Sequence, residues 1–149
     1  MQIEWSKKYN TGIEKIDEQH KKLVALINKL YEMVIVKGDA GSVQDAILDL
    51  KMYTIFHFTS EEKLFKKYNY TDDDHEDHLK THQDFIDEIG NYIADNDSSQ
   101  IELGYRLTEY LKKWLFSHIL VSDMKFASFL KKNHFSEISS EDIYFDDEL

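Results

Sequence analysis

Apolar residues recur every three or four positions along four segments of the chain, as in helices that bury one face. The clearest stripe alternates steps of four and three through the middle of the chain: Val43, Ile47, Leu50, Thr54, His57, Glu61, Leu64 and Tyr68. This helix should begin at Ser42, where Asp45 completes a weak capping box. It should end near Asn69, because asparagine tolerates the left-handed conformation that follows many helices.

Three further segments carry the same stripe, over residues 20–34, 78–92 and 107–118. Capping boxes at 71–74 and 99–102 precede the last two, and the stretch 37–41 ends the first. The connections between the segments are short, and short connections make neighbouring helices antiparallel. The pattern predicts an all-α protein, an antiparallel up-down-up-down four-helix bundle. An N-terminal arm precedes it, and its Trp5 and Tyr9 should pack onto the bundle.

Length and composition limit the class of protein. A chain of 149 residues is long enough for one domain with a substantial core, and its lack of proline and mere five glycines disfavour a turn-rich β fold. Without cysteine it can have neither disulfides nor thiolate metal sites. A net charge of −11 disfavours binding to nucleic acid or anionic membranes. The chain shows neither a signal peptide nor a run of apolar residues that could span a membrane, so a cytoplasmic location is expected.

Histidine lies on the apolar stripe of every predicted helix. These residues are His20, His57, His78, His82 and His118, and Glu61 shares the stripe of His57. A buried polar side chain costs a few kcal/mol unless it is satisfied, so the five imidazoles in one core favour a shared metal ion. The pairs His78/His82 and His57/Glu61 are each spaced to grip one ion, since residues four apart share a helix face.

Each of these residues also has an ordinary structural interpretation. A single histidine on an apolar stripe is commonly a hydrogen-bonded core residue, but that explanation would have to apply separately on all four helices. Glu62 could exchange roles with Glu61, and the stripe favours Glu61. His75 lies in an acidic first helical turn and His134 follows two lysines, so both are expected at the surface.

Several stretches of the chain together resemble bacterial hemerythrin-like domains. They are GIEKIDEQH (12–20), HFTSEE (57–62), HLKTHQDF (78–85) and WLFSHI (114–119), the last followed by Asp123. The resemblance runs from Trp5 to about Phe126. It implies a hemerythrin-like domain over residues 1–135. Residues 136–149 would then form an acidic tail, which could be a disordered end or could dock a protein partner through Ile143, Tyr144 and Phe145.

The resemblance implies a non-haem di-iron centre that binds O₂ reversibly. In this interpretation His78, His82 and His118 hold one iron, and His20 and His57 hold the other. Glu61 and Asp123 bridge the two ions together with an oxo or hydroxo group, and the open position for O₂ lies on the two-histidine iron. The residues that match the family's oxygen pocket are apolar: Leu23, Phe58, Trp114, Leu115 and Ile119.

Asp123 poses a geometric problem for this interpretation. Five residues of a regular helix turn through about 500°, which places Asp123 about 140° around the axis from His118. The helix is therefore predicted to distort or end within residues 119–122. The chain also departs from the family at Phe126, where tyrosine is common, and at Phe65, where methionine is common. Neither departure is expected to touch a ligand.

The preferred hypothesis is an oxygen-binding protein for storage, delivery or sensing, rather than an enzyme. One alternative is a di-iron enzyme or redox sensor with oxidase, peroxidase or nitric-oxide-handling activity. A second is an interaction module without metal. Imidazole and carboxylate donors would also suit zinc, manganese or copper, so the choice of iron depends on the resemblance.

Overall fold

The described part of the computed structural model, residues 2–95 and 98–134, contains helices as its regular elements. After a short 3₁₀ turn at Lys7–Tyr9 come α1 (Glu14–Tyr31), α2 (Val43–Lys67), α3 (Asp73–Ala94), α4 (Gln100–Ser117) and α5 (Met124–His134). Helix α1 packs against α2 and α4, and α3 packs against the same two helices. This closed arrangement is the predicted up-down-up-down four-helix bundle.

The helix ends confirm the predictions made for Ser99 and Asn69. Ser99 accepts a hydrogen bond from the backbone N–H of Glu102, and Asn69 has the left-handed φ of 55° after α2. Ser42 does precede α2, but its side chain makes no capping hydrogen bond. The prediction for α3 was wrong by one residue, because Asp72 rather than Thr71 is the cap and accepts from the N–H of His75. A carboxylate there also favours the positive end of the helix dipole.

Two segments of wider, π-helical backbone extend the bundle helices. Glu32–Val36 follows α1, and His118–Asp123 connects α4 to α5. In the second segment the N–H of Met124 bonds to the carbonyl of Ile119, five residues earlier, and the backbone stays helical on both sides. The fourth bundle helix therefore continues into α5, an element that the stripe analysis did not predict.

The core consists of two apolar clusters with the histidines between them. The larger cluster includes Leu23, Phe58 and Leu115, and the smaller includes Phe65 and Phe126. Along α1 and α2, His20 and His57 lie between residues of one cluster and residues of the other. Helix α5 supplies Phe126, Ala127 and Leu130 to the smaller cluster, so it covers one end of the histidine layer.

The N-terminal arm packs onto the bundle, as predicted. Tyr9 is buried and stacks on Phe116 with ring centroids 4.6 Å apart, and the half-buried Trp5 donates to Asn10. The backbone N–H of Ile3 donates to the side chain of Asn28. No described helix combines the length and apolar character needed to cross a membrane. The acidic tail lies outside the described residues, and so does the side chain of His134.

Candidate metal centre

Five buried histidines bring their Nε2 atoms together from four helices. His78, His82 and His118 form a three-histidine group with Glu61, whereas His20 and His57 form a two-histidine group with Glu61 and Asp123. Within each set, one ligand atom per residue lies within 4.8 Å of the others. No residue of the two groups is more than 3% exposed. The structure thus gathers all seven residues that the sequence analysis singled out, and each group has the composition of a metal site.

The two carboxylates connect the groups. One oxygen of Glu61 lies 3.2 Å from Nε2 of His57, and its other oxygen lies 3.1 Å from Nε2 of His82. Asp123 repeats the arrangement, with Oδ2 2.8 Å from Nε2 of His20 and Oδ1 3.0 Å from Nε2 of His78. Each carboxylate therefore offers one oxygen to each group, so each could bridge metal ions held in the two groups.

Hydrogen bonds behind the rings determine which nitrogen faces the centre. Nδ1 of His57 lies 2.6 Å from the amide oxygen of Gln19, so Nδ1 carries the proton and donates it. The Thr81 hydroxyl donates to the carbonyl of His78 and therefore accepts from Nδ1 of His118, 3.0 Å away. In both imidazoles Nε2 is left with a bare lone pair, the form in which histidine binds a metal.

A metal cation would satisfy the lone pairs and carboxylates that face one another here. Both oxygens of Asp123 and one oxygen of Glu61 are buried and, within the described residues, lack a hydrogen bond of acceptable geometry. The Nε2 atoms of His20 and His57 are 3.2 Å apart, as are those of His78 and His118. Two atoms that bind one metal ion at right angles lie about 3.0 Å apart when each bond is about 2.1 Å long. The residues present therefore fit metal ions in both groups.

The electrostatics of the metal-free site point the same way. Burial favours the neutral form of Asp123, and the charge of Glu61 adds to that, but His118 and His20 outweigh both and lower its pKa. Burial alone would depress the pKa of His78, yet the carboxylates of Glu61 and Asp123 raise it to about 10. Glu61 likewise has a lowered pKa because its histidine neighbours overcome its burial. Both carboxylates are thus charged at neutral pH, and positive charge must compensate them.

The π-helical turn resolves the geometric problem of Asp123. In this segment residues five apart lie over one another, whereas an α-helix would separate them by about 140°. Oδ1 of Asp123 consequently lies 3.1 Å from Nε2 of His118. The predicted distortion of this helix is confirmed, in the form of one wider turn rather than an end.

Sequence reasoning did not identify the residues behind the ligands. Gln19 and Thr81 orient His57 and His118, and Ser60 receives a 3.4 Å hydrogen bond from Gln19. The sequence offered one indication of these residues: Gln19 directly precedes His20, and Thr81 directly precedes His82. Glu62 lies outside the ligand set and faces Nδ1 of His82 at 3.5 Å.

Two expectations about neighbouring residues were wrong. Phe65 does touch the proposed ligands, with its ring centroid 4.8 Å from that of His78. His75 is half-buried against Phe65 and Tyr70 instead of fully solvated. Phe126 packs against Phe65 and Tyr70, and no ring contact with a histidine is found for it in the described structure.

The predicted oxygen-pocket residues surround the centre in two ways. Phe58 stacks on His82 and Trp114 stacks on His118, with centroids 3.8 Å and 4.5 Å apart. Leu23, Trp114 and Leu115 line a small internal cavity, whereas Phe58 and Ile119 do not line it. The other residues around this cavity are Ile27, Leu50, Thr54, Phe85 and Leu111.

Known proteins resemble this chain over most of its length. The family model for the hemerythrin HHE cation binding domain matches residues 11–130. A hemerythrin-like protein of Naegleria gruberi is 33% identical over 127 residues, 85% of this chain and 92% of the relative. Bacteriohemerythrin of Pseudomonas aeruginosa (strain LESB58) is 34% identical over 119 residues, 80% of this chain and 75% of the relative. Bacteriohemerythrin of Clostridium acetobutylicum is 30% identical over 128 residues, 82% and 96% of the two chains. With its histidine and carboxylate centre, the chain belongs to the hemerythrin family.

Proposed function

We propose that this chain holds two iron ions and binds O₂ reversibly, without acting as an enzyme. The observation that carries the proposal is the asymmetry of the centre. Glu61 and Asp123 reach both groups, but one group has three histidines and the other has two. Two ions of equal coordination number would leave one position without a protein donor on the two-histidine side. That position is the proposed site of O₂.

The ligand residues have distinct roles in this proposal. Iron held by this donor set would supply reversible electron exchange with O₂. Glu61 and Asp123 would hold the two ions together and neutralise part of their charge. Gln19 and Thr81 keep the protons of His57 and His118 on Nδ1, which leaves Nε2 free to bind.

Apolar side chains keep water away from the centre. Phe58 covers His82 and Trp114 covers His118, while Leu115 and Ile119 are at most 2% exposed. A dry site strengthens electrostatic interactions and limits the entry of protons. This environment favours release of O₂ unchanged over its further reduction.

The small cavity is the proposed site that O₂ occupies before it reaches the metal centre. Leu23 lies one turn from His20, Thr54 one turn from His57, and Leu115 one turn from His118, so the cavity lies beside the centre. The Thr54 hydroxyl donates to the carbonyl of Leu50 at 2.7 Å, so its hydrogen is not available to a molecule in the cavity. The space is close to the smallest that holds one water molecule, so the lining side chains would have to move apart slightly to admit O₂.

A spectroscopic titration tests the proposal. The chain is loaded with ferrous iron under anaerobic conditions, its iron content is measured, and its visible spectrum is recorded as O₂ is admitted and removed. We expect two iron ions per chain and a charge-transfer band that appears with O₂ and disappears on its removal. Zinc-loaded protein is the control and should show no band.

Other outcomes would replace the proposal with one of its alternatives. Irreversible conversion to a ferric spectrum would contradict reversible binding and favour a di-iron oxidase, peroxidase or redox sensor. A folded protein that takes up no iron would overturn the metal assignment and leave an interaction module.

A further inference from the structure

A row of aromatic rings leads away from the metal centre between α3 and α4. Trp114 lies almost parallel to His118, with 11° between the ring planes. Phe85 contacts Trp114 at 4.4 Å and Tyr110 at 6.4 Å between ring centroids. Tyr110 in turn contacts Tyr92 at 5.8 Å. The row therefore connects His118, a proposed iron ligand, to Tyr110, about two helical turns earlier in the chain, and then to Tyr92 on α3.

The far end of this row reaches the surface beside the connection between α3 and α4. Tyr92 is half-buried, and the exposed guanidinium of Arg106 lies 5.8 Å from its ring centroid. Arg106 is itself held by Asp95 at 2.7 Å. A molecule in solvent can thus approach the outer tyrosine without approaching the buried histidines.

The negative charge of one carboxylate affects the pKa of both tyrosines. Glu88 lies one helical turn before Tyr92 on α3. Burial first, and then the negative charge of Glu88, raise the pKa of Tyr92, and they raise the pKa of Tyr110 to about 12. Both phenols are therefore protonated at neutral pH, so a ring that loses an electron must also release its proton.

We propose that Trp114, Tyr110 and Tyr92 form an electron path from solvent to the metal centre. Indole and phenol are side chains that can lose and regain one electron, and here three of them lie in order between His118 and the surface. The path would restore electrons to a centre that peroxide has over-oxidised, before the ligand histidines are damaged. This inference rests on the proposed iron occupancy but not on reversible O₂ binding.

The transfer balances in electrons and protons. Hydrogen peroxide takes two electrons from the protein and two protons from solvent to become two waters. When one of these electrons does not come from the metal centre, Trp114 supplies it. Tyr110 then transfers an electron to Trp114, and Tyr92 transfers one to Tyr110. Tyr92 is then left oxidised and, being half-buried, releases its phenolic proton to solvent. A one-electron reductant in solvent, such as ascorbate, then returns the electron, and Tyr92 takes a proton back from solvent.

Oxidative marking of the iron-loaded protein tests the path. Iron-loaded and zinc-loaded samples are treated with hydrogen peroxide without ascorbate, frozen for electron paramagnetic resonance, and digested for peptide mass spectrometry. We expect an organic radical signal and several-fold more oxidation at Tyr110 and Tyr92 with iron than with zinc. Tyr105, on the same helix and 50% exposed, is the reference for oxidation that follows exposure alone. Ascorbate should suppress the marks.

Substitutions then separate the path from random damage. Tyr110→Phe should keep the iron content and the fold. It should lower the oxidation of Tyr92 several-fold and raise the oxidation of Trp114 and of the ligand histidines. Trp114→Phe should lower the oxidation of both tyrosines, whereas the matched variant Trp5→Phe should leave their oxidation unchanged. If Trp114→Phe fails to bind iron, Tyr110→Phe decides the question alone.

Two results would overturn the inference. One is equal marking of Tyr105 and Tyr110, and the other is unchanged marking of Tyr92 in Tyr110→Phe. Failure of the proposed function is distinguishable from these. A protein that binds O₂ reversibly but shows no iron-dependent marks contradicts the electron path alone, whereas a protein that takes up no iron contradicts the proposed function first.

Discussion

His118 and Asp123 are five residues apart in sequence, yet they face the same centre with Nε2 and Oδ1 3.1 Å apart. One π-helical turn makes this possible, because its hydrogen bonds connect residues five apart. The same turn carries the chain into α5, whose Phe126 and Leu130 close the smaller apolar cluster. The turn therefore places a proposed bridging carboxylate and also positions the helix that covers it.

Neighbouring glutamates with different surroundings give a matched pair of variants. Glu61→Gln should reduce the iron content below two per chain, because Glu61 offers an oxygen to both groups and its charge is lost. Glu62→Gln should retain two iron ions, since Glu62 lies outside both ligand groups and faces Nδ1 of His82 at 3.5 Å. Metal analysis after desalting measures both. Equal iron loss in the two variants would contradict the assignment of Glu61 as the bridge.

The hydrogen bond between Gln19 and His57 should tune metal affinity. Gln19→Leu removes the acceptor of Nδ1, so His57 is no longer held in the binding form, and such losses typically weaken metal affinity by about 10–100-fold. Competition with a chelator measures the change. Gln83→Leu, an exposed residue on α3, serves as the control and should bind metal as tightly as the original protein. An unchanged affinity in Gln19→Leu would show that the hydrogen bond has no such role.

The stabilising effect of metal should increase with pH. Without metal, the pKa of His78 is raised from its ordinary value of 6.5 to about 10, so its contribution to stability is full below pH 6.5 and is lost as pH rises towards 10. The pKa values of His20 and His82 are also raised, and they act in the same direction. Metal binds the deprotonated form, so binding releases protons and strengthens as pH rises. The difference in Tm between metal-loaded and metal-free protein should therefore grow over this range.

Thermal unfolding at several pH values, with circular dichroism as the signal, checks this prediction. Glu61 and Asp123 have lowered pKa values, so their contributions are present above their ordinary acidic range and stay constant across the measured one. A Tm difference that shrinks with rising pH would mean that protons do not compete with metal at these histidines.

Substitution by alanine should change the free energy of unfolding in opposite directions at two glycines inside helices. A Cβ at Gly104 would overlap the side chain of Val34, and overpacking of this kind typically costs about 1–3 kcal/mol. A Cβ at Gly90 would meet nothing within 4 Å, so Gly90→Ala should gain up to about 1 kcal/mol from helix propensity. Urea unfolding of both variants measures the difference. Partial rescue of Gly104→Ala by Val34→Ala would identify the overlap as the cause.

Helical periodicity alone was sufficient to identify most of the candidate site. Residues three and four apart share a helix face, so the histidines and Glu61 could be placed in the core before any contact was known. The resemblance added Asp123, which lies off the regular stripe. Gln19 and Thr81 could not be assigned in this way, because each orients a histidine of another helix and depends on how the two helices are aligned.

The sequence by itself determined the four amphipathic helices, their order and the residues that they turn inward, because these follow from local spacing and short connections. It also showed that His118 and Asp123 could not share a face of a regular helix. Only the tertiary structure decided how that conflict is resolved, since a π-helical turn is stabilised by what packs on both sides of it. The same packing decided that α5 continues the last helix, that Phe65 touches His78, and that each carboxylate reaches both histidine groups.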